Sequence, residues 1–259
     1  MKTQTLLLPE RHALILKQLG EEGRVLAVTL ARELNVTEDT IRRDLRDLAA
    51  AGLCQKVYGG AVRMPPGPEA GTLVQRMERG QDGKSRLAAA AATLVTPGST
   101  IFLDAGSSNL AIAEALPVVP VTVLTNAPSI AARLLEQPHV DLIMIGGRIK
   151  QNLGGSVGAT AMRELELIHP DLYFIGACGV DLQAGVTAVD YEEAEFKRRL
   201  AAQSKATAVV ATAAKIGAMA HYSVLPIAQL THLIVEAETA DDVAQAYAAA
   251  GTRVQRANP

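Results

Sequence analysis

The sequence predicts an α/β protein in two parts, an N-terminal winged helix-turn-helix followed by a domain built on a mostly parallel sheet. Three observations predict it. Residues 38–51 form an amphipathic stretch with one apolar stripe and three arginines. A Pro/Gly-rich segment follows at 64–71. From residue 100 onwards, short apolar runs alternate with helix-like stretches, the pattern of βα units whose sheet is covered on both faces. The chain has 259 residues, 49% of them hydrophobic, which supports a sizeable core. Aromatics are 3% and tryptophan is absent, so that core is aliphatic.

Taken in order, residues 10–19 make a first helix, with Leu14, Ile15, Gln18 and Leu19 on its inner side, ended by Glu21-Glu-Gly23. Residues 28–34 make a second, short helix with an apolar edge of Leu30, Ala31 and Leu34. Asn35-Val36 is the turn, and Ala31 is small enough to let the helices cross closely. The third helix spans 38–51, stopped by Gly52. Thr37 is its N-cap, a hydroxyl for a first-turn N–H. Glu38 and Asp39 place negative charge at the positive end of its dipole. Ile41, Leu45 and Leu48 fall at i, i+4 and i+7 and form the buried stripe.

At about 100° per residue, Arg42, Arg43 and Arg46 project away from that stripe, Arg43 and Arg46 most nearly opposite it. Arginine forks pair bidentately with guanine edges and with phosphates. Arg43 and Arg46 are therefore assigned to base edges and Arg42 to a phosphate. Asp44 and Asp47 sit among them, as on an ordinary solvated face, but fall nearer the buried flank, where they brace the helix. Strands at 53–58 and 61–63, joined at Gly59-Gly60, form a wing from which Lys56, Tyr58 and Arg63 reach the nucleic-acid backbone. Thr37 and Thr40, at the start of the third helix, complete the DNA-binding set.

Charge agrees in sign. Residues 1–63 hold ten Lys/Arg against eight Asp/Glu, and the remainder fifteen against nineteen, within a formal net charge of −2. Only the N-terminal part has the balance of a polyanion binder. Cys54 and Cys178 lie far apart, and neither they nor the five histidines have metal-ligand spacing, so no metal and no cofactor are expected. Leu6-Leu-Leu8 is too short an apolar core for a signal peptide, and no run is long enough to cross a bilayer. A cytoplasmic location is expected.

Beyond the Pro/Gly segment, residues 72–83 read as a polar stretch that packs back on the second domain, and 84–95 as an alanine-rich helix. Strands are expected at 101–103, 121–124, 141–145, 172–175, 206–211 and 233–235. In such sheets ligands bind at the carboxyl ends of the strands. The loops there share a chemistry. Gly106-Ser107-Ser108 opens a helix and offers hydroxyls, backbone N–H groups and a positive dipole end to an anion such as phosphate. Thr125-Asn126 and Gly146-Gly147 add short polar or bare-backbone contacts, Lys197 and Lys215 are cationic partners, and Asp104 and Asp181 accept from sugar hydroxyls. A single Gly-Ser-Ser is commonly a plain βα turn; five such loops at one edge point to a small phosphorylated ligand.

These residues carry a family resemblance. Glu10-Arg11, Ile15-Leu16, Gly23, Leu30-Ala31, Leu34, Val36-Thr37, Thr40-Ile-Arg-Arg-Asp-Leu45, Leu48, Gly52-Leu53 and Tyr58-Gly-Gly-Ala61 resemble the DNA-binding domain of the DeoR family of bacterial transcriptional regulators. Ile101-Phe-Leu-Asp-Ala-Gly-Ser-Ser108, Leu124-Thr-Asn126, Gly146-Gly147, Val157-Gly158, Gly179-Val-Asp181, Gly185-Val-Thr187 and Asp190-Tyr-Glu-Glu-Ala-Glu-Phe-Lys-Arg198 resemble its C-terminal sensor domain. The resemblance implies a Rossmann-like sensor domain related to ribose-5-phosphate isomerase. It further implies a sugar-phosphate effector, repression of a sugar or carbohydrate operon, and a homo-oligomer, dimer or tetramer. Two departures stand out. Leu26-Ala27-Val28 replaces the usual polar cap of the second helix, and Thr212-Ala-Ala-Lys215 keeps the lysine of an Asp-Ser-Ser-Lys-like segment while losing most of its polar groups.

The expected domains are 8–63 (helix-turn-helix about 25–44), a linker at 64–83, and a sensor and oligomerisation domain at 84–259. The alternative is a sugar-phosphate isomerase-like enzyme with a DNA-binding appendage. Against it, the two aspartates of the isomerases' matching segment correspond to Gly176 and Gly179. Arg43→Ala is expected to weaken operator binding and Lys197→Ala to weaken effector binding.

Overall fold

The computed structural model describes residues 8–22, 24–50, 54–57, 59–63, 76–77 and 80–258. The chain divides into two compact units, Met1–Pro65 and Pro66–Pro259. The first contains α1 (Leu8–Glu22), β1 (Arg24–Leu26), α2 (Ala27–Glu33), α3 (Glu38–Ala50), β2 (Cys54–Val57) and β3 (Gly60–Arg63). Its core gathers Ile15 and Leu19 of α1, Leu30 of α2, the Ile41, Leu45 and Leu48 stripe of α3, and Cys54.

The wing has three strands rather than two, in the order β1-β3-β2. Strand β1 escapes sequence reading because its three residues bury one side chain, Val25, too short a run to show a period. Leu14, expected inside, is instead exposed, one helical step round from the buried Ile15. Gln18 sits at the margin and donates to Glu33 of α2 at 3.2 Å. The missing polar cap of α2 has a tertiary replacement: the N–H of Ala27 donates to the Gly59 carbonyl of the wing turn at 2.9 Å. Thr37 does cap α3, its hydroxyl accepting the Thr40 N–H at 3.2 Å. Asn35 turns the chain between α2 and α3 with φ 51°, a conformation its short polar side chain tolerates. The expected stop at Gly52 and the whole of Tyr58 lie outside the described residues.

The second unit runs α4 (Gln81–Ala92), β4 (Thr100–Leu103), α5 (Ser107–Glu114), β5 (Val121–Thr125), α6 (Pro128–Leu134), β6 (Val140–Met144), β7 (Arg148–Lys150), β8 (Gly155–Val157), α7 (Ala159–Leu165) and β9 (Leu172–Ile175). Then come β10 (Gly179–Asp181), β11 (Gly185–Ala188), α8 (Tyr191–Gln203), β12 (Ala206–Ala211), β13 (Tyr222–Leu225), β14 (His232–Val235), α9 (Asp241–Ala249) and β15 (Arg253–Arg256). Helix α4 starts at Gln81, three residues before the expected 84. Of the expected linker, 64–75 and 78–79 lie outside the described residues, and Met77 packs against the core of the second unit.

Seven strands form one parallel sheet in the order β15-β14-β12-β9-β4-β5-β6. Successive side chains alternate between its faces, as the pleat requires. Ile101, Leu103, Leu172, Phe174, Ala208 and Val210 meet α4, α5 and α6, while Phe102, Tyr173, Ile175, Val209 and Ala211 meet α7, α8 and α9. The chain starts at β4, moves outward to β6, then returns to β9 on the other side of β4. The β4–β9 junction is thus a topological switch point, where the crevice of an open α/β sheet forms.

Two smaller antiparallel sheets, β7-β8 and β10-β11-β13, were not legible in the sequence. Their strands are three or four residues long, and residues 176–181, expected to be one loop, already contain β10.

Candidate functional site

On α3 the three arginines are all exposed, on the side away from Ile41, Leu45 and Leu48. Arg42 is held by Glu38 one turn back at 2.7 Å. Arg46 leans its Nε towards the Arg42 carbonyl at 3.4 Å. Arg43 makes no side-chain hydrogen bond or ion pair among the described residues. The Thr37 and Thr40 hydroxyls lie 2.8 Å apart at the helix start, so both serve the cap before any DNA. Lys56 is exposed on β2.

The aspartates separate. Asp47 is exposed, whereas Asp44 is buried and takes a two-pronged bond from Arg11 of α1, Nε at 2.5 Å and Nη2 at 2.9 Å.

In the second unit a narrow cleft opens at the switch point, between the carboxyl ends of β4, β9 and β12. It is lined by Ala105, Gly106, Ser107, Ser108, Asn109, Ile175, Gly176, Ala177, Cys178 and Lys215, with Arg76, Leu153, Glu193 and Val210 around them. Free space for water-sized occupants is only about 40 Å³. Gly106, with φ 152°, turns the chain into α5 and provides no side-chain cap, and it lines the cleft together with Ser107 and Ser108 of the first turn. The buried Lys215 ammonium reaches the Ser108 hydroxyl at 3.2 Å. Asn109 donates to the carbonyls of Asp104 and Phe174, both at 2.9 Å, tying the ends of β4 and β9 together.

Behind this wall lies a buried ionic knot. Lys197 of α8 bonds Glu193 and the Gly176 carbonyl and lies 3.4 Å from Asp104. Asp104 also accepts from the Tyr173 hydroxyl at 2.9 Å and the Gly176 N–H at 3.0 Å. Burial alone would push the Lys197 ammonium down, but the Asp104 and Glu193 carboxylates more than offset it and hold its pKa above the ordinary value. Burial, reinforced by Asp104, pushes the Tyr173 phenol well up, so it stays a donor. Burial likewise pushes the Cys178 thiol up.

The residues match the model of the DeoR-like helix-turn-helix domain over 11–66 and that of the DeoR C-terminal sensor domain over 79–237. The chain is 32% identical to the HTH-type transcriptional regulator GolR of Listeria innocua over 228 residues, 88% of this chain and 90% of that protein. The chain belongs to the DeoR family. The glycerol-3-phosphate regulon repressor of Haemophilus influenzae is 29% identical over 79% of this chain and 80% of its own. Among solved structures, ribose-5-phosphate isomerase A of Methanocaldococcus jannaschii is similar at a TM-score of 0.38 and 16% identity, over 52% of this chain and 54% of that one.

This DeoR-family chain is a DNA-binding transcriptional regulator, not an enzyme, and its sensor domain takes a small-molecule ligand. Gly176 and Gly179, the places expected to match the isomerases' aspartates, have no room for a side chain. A Cβ on Gly176 would lie 2.5 Å from the Ala105 carbonyl oxygen, and one on Gly179 2.2 Å from that of Ala218. No carboxylate side chain fits at either without moving backbone.

The expected effector set divides in three. Gly106, Ser107, Ser108 and Lys215 line the cleft. Asp104 and Lys197 form the knot behind it, where each is about 1% exposed and already partnered within the protein. Thr125, Asn126, Gly146, Gly147 and Asp181 are outside the cleft. The Thr125 hydroxyl donates to the Leu103 carbonyl at 2.7 Å, and the Asn126 amide bridges the Ala105 N–H and the Ser156 carbonyl, so both fasten loops. The Gly146 N–H is taken by Glu164 at 2.9 Å, out beyond β6. Asp181 closes the β10–β11 turn, accepting from Gln183 and Ala184 at 2.8 Å each. A sheet this wide cannot bring all its strand ends to one crevice; only those beside the switch point meet.

Sequence reasoning missed Arg76, Asn109, Cys178 and Glu193. Glu193 was readable as the i−4 partner of Lys197. Arg76 carries no local signal; it reaches the cleft from the expected linker, where its Nη2 donates to the Asn152 carbonyl at 3.3 Å and its own carbonyl accepts from Lys84.

Proposed function

We propose that this regulator represses a sugar or carbohydrate operon and is released from its operator by a phosphorylated sugar seated in the β4–β9 cleft. The observation that carries it is the cradle at the start of α5. An uncapped helix start, two serine hydroxyls, the Lys215 ammonium and the Arg76 guanidinium converge on one small space. Backbone N–H groups with a dipole end and two cations are the chemistry that binds a phosphate dianion. The Asp104–Lys197–Glu193 knot holds the wall of that space in place, its one ammonium shared between two carboxylates. That relatives include a glycerol-3-phosphate regulon repressor is in keeping with a phosphate-bearing effector.

Coupling follows from connectivity. Arg76 lies near the start of the second unit in sequence, so a phosphate that engages its guanidinium acts close to where the two units join along the chain. An effector shifts operator affinity only by its unequal affinity for the two arrangements, and a coupling of about 1–3 kcal/mol corresponds to a shift of roughly 5- to 150-fold. One winged helix-turn-helix reads one half-site, so the working form is a homo-oligomer, dimer or tetramer, acting in the cytoplasm where its operator is.

A thermal-shift panel of phosphorylated sugars and their unphosphorylated parents tests this, because a ligand of the folded state raises stability by mass action. At least one phosphorylated sugar is expected to raise the midpoint and to release operator DNA, with Lys215→Ala abolishing both effects. Stabilisation by unphosphorylated sugars alone would overturn the phosphate assignment.

A further inference from the structure

We infer that Arg11 is a positioning residue for DNA readout: by clamping Asp44 from α1, it fixes the rotation at which α3 presents its arginines. The geometry is specific. Both arms of the Arg11 guanidinium meet both Asp44 oxygens, at 2.5 and 2.9 Å, and the residues are 8% and 1% exposed. His12 adds a ring nitrogen 3.4 Å from the same carboxylate. A planar fork on a carboxylate restrains direction as well as distance, which a point charge does not.

Asp44 also sits at a telling place on the helix. Arg42 and Arg46 are two residues to either side, each about 200° round, so anchoring Asp44 inward aims both outward. Arg43 is one step, about 100°, away. The apolar stripe alone leaves the rotation soft, since Ile41, Leu45 and Leu48 can shift by some degrees and stay buried. At the outer radius of a helix, roughly 5–6 Å, a 20° roll moves side-chain atoms by about 2 Å, enough to lose bidentate contact with a base edge. Phosphate contacts tolerate such a roll better, being longer-ranged and free of sequence information. The clamp therefore acts on specificity more than on overall affinity.

The inference rests on the DNA-binding reading of α3, and Arg43→Ala is the control for that reading. The probe is a duplex selected from a random pool by the unaltered full-length protein, compared with an unselected duplex. The main variant is Arg11→Met with Asp44→Leu. It removes both charges together, a change that leaves folds of this kind close to their original stability. Expected is an affinity loss of about tenfold or more on the selected duplex and less than about twofold on the unselected one, with the thermal midpoint nearly unchanged. Arg11→Lys, which keeps the charge without the fork, is expected to fall between the two and carries the test if the double variant does not fold. An unchanged ratio of the two affinities in the folded variants, or an equal fall of both, would show a merely structural pair. Loss of neither affinity in Arg43→Ala would overturn the reading of α3 and this inference with it.

Discussion

The recognition helix and the ligand cleft use their charges in opposite ways. On α3 the three arginines are exposed, Arg43 with no side-chain partner among the described residues, while Asp44 is buried and bonded by Arg11. At the cleft the cations are themselves buried: Lys215 is 6% and Lys197 1% exposed, and each is already bonded within the protein. An exposed charge can be removed at little cost to the fold, whereas a buried one is part of it. Substitutions on α3 should therefore separate binding from stability. Substitutions around the cleft should mix the two, to a degree set by how deep each cation lies.

Lys197→Ala tests the deep end and carries the largest expected effect. It leaves Asp104 and Glu193, both nearly inaccessible, without the ammonium between them. Removing one partner of such a cluster costs about 3–5 kcal/mol, measurable as a lower urea midpoint at an unchanged slope. This replaces the simpler expectation that the variant loses only effector binding. A stability within about 1 kcal/mol of the parent, the range of an exposed pair, would show that the knot is not the wall's foundation.

Lys215→Ala lies at the shallow end. Its ammonium reaches the Ser108 hydroxyl in the lining of the cleft, where the proposed ligand would meet it, so binding should suffer more than the fold. Losing a charged hydrogen bond to a phosphate costs about 1.5–3 kcal/mol of binding, or roughly 10- to 150-fold in affinity by calorimetry. Operator binding without effector should stay at the parental level. If Lys215→Ala and Lys197→Ala lost stability equally, the contrast between cradle and knot would collapse.

What could be read in advance follows the same division. The α3 stripe, its Thr37 cap and its arginine face were legible because a helix of period 3.6 fixes the side of every residue from sequence spacing alone. The parallel sheet was legible because runs such as Ile101–Leu103 and Ala206–Ala211 are apolar on both faces. Which strand ends meet was not, because strand order is set by returns in the chain that no local pattern encodes. So Thr125, Asn126, Gly146 and Asp181 looked like Ser107 in kind and turned out to fasten loops elsewhere. Arg76 was invisible for the converse reason: it reaches the cleft through packing of a segment without periodicity.

Arg43→Ala sharpens the exposed side of the comparison. It removes the one α3 arginine with no internal partner among the described residues, so the thermal midpoint should move little. Affinity for the selected operator should fall by about 1–3 kcal/mol, and the salt dependence of binding should change less than for a phosphate contact. Arg42→Ala should show the reverse: a uniform loss across sequences and a shallower salt slope. If the two variants behaved alike, the division of the arginines between base edge and phosphate would fail.

The smallest expected effect concerns a charged cluster between the two extremes. Lys150 of β7 bridges Asp190 at 2.7 Å and Glu192 at 2.7 Å, at the start of α8, with all three partly accessible. Burial pushes the Asp190 carboxyl up, but the Lys150 ammonium and the Glu193 N–H more than offset it, leaving its pKa below the ordinary 3.8. A carboxyl lowered by folding adds stability above its unfolded value, and that stability is lost as pH falls through the folded value. Lys150→Met removes the ammonium and leaves the burial, so the Asp190 carboxyl should move upward. Its contribution should then be lost at a higher pH, and the acid-unfolding midpoint followed by circular dichroism should rise. At neutral pH the variant should be close to the parent, since half-exposed pairs contribute little there. An unchanged acid midpoint would place Lys150 with the exposed arginines of α3 rather than with the knot around Lys197.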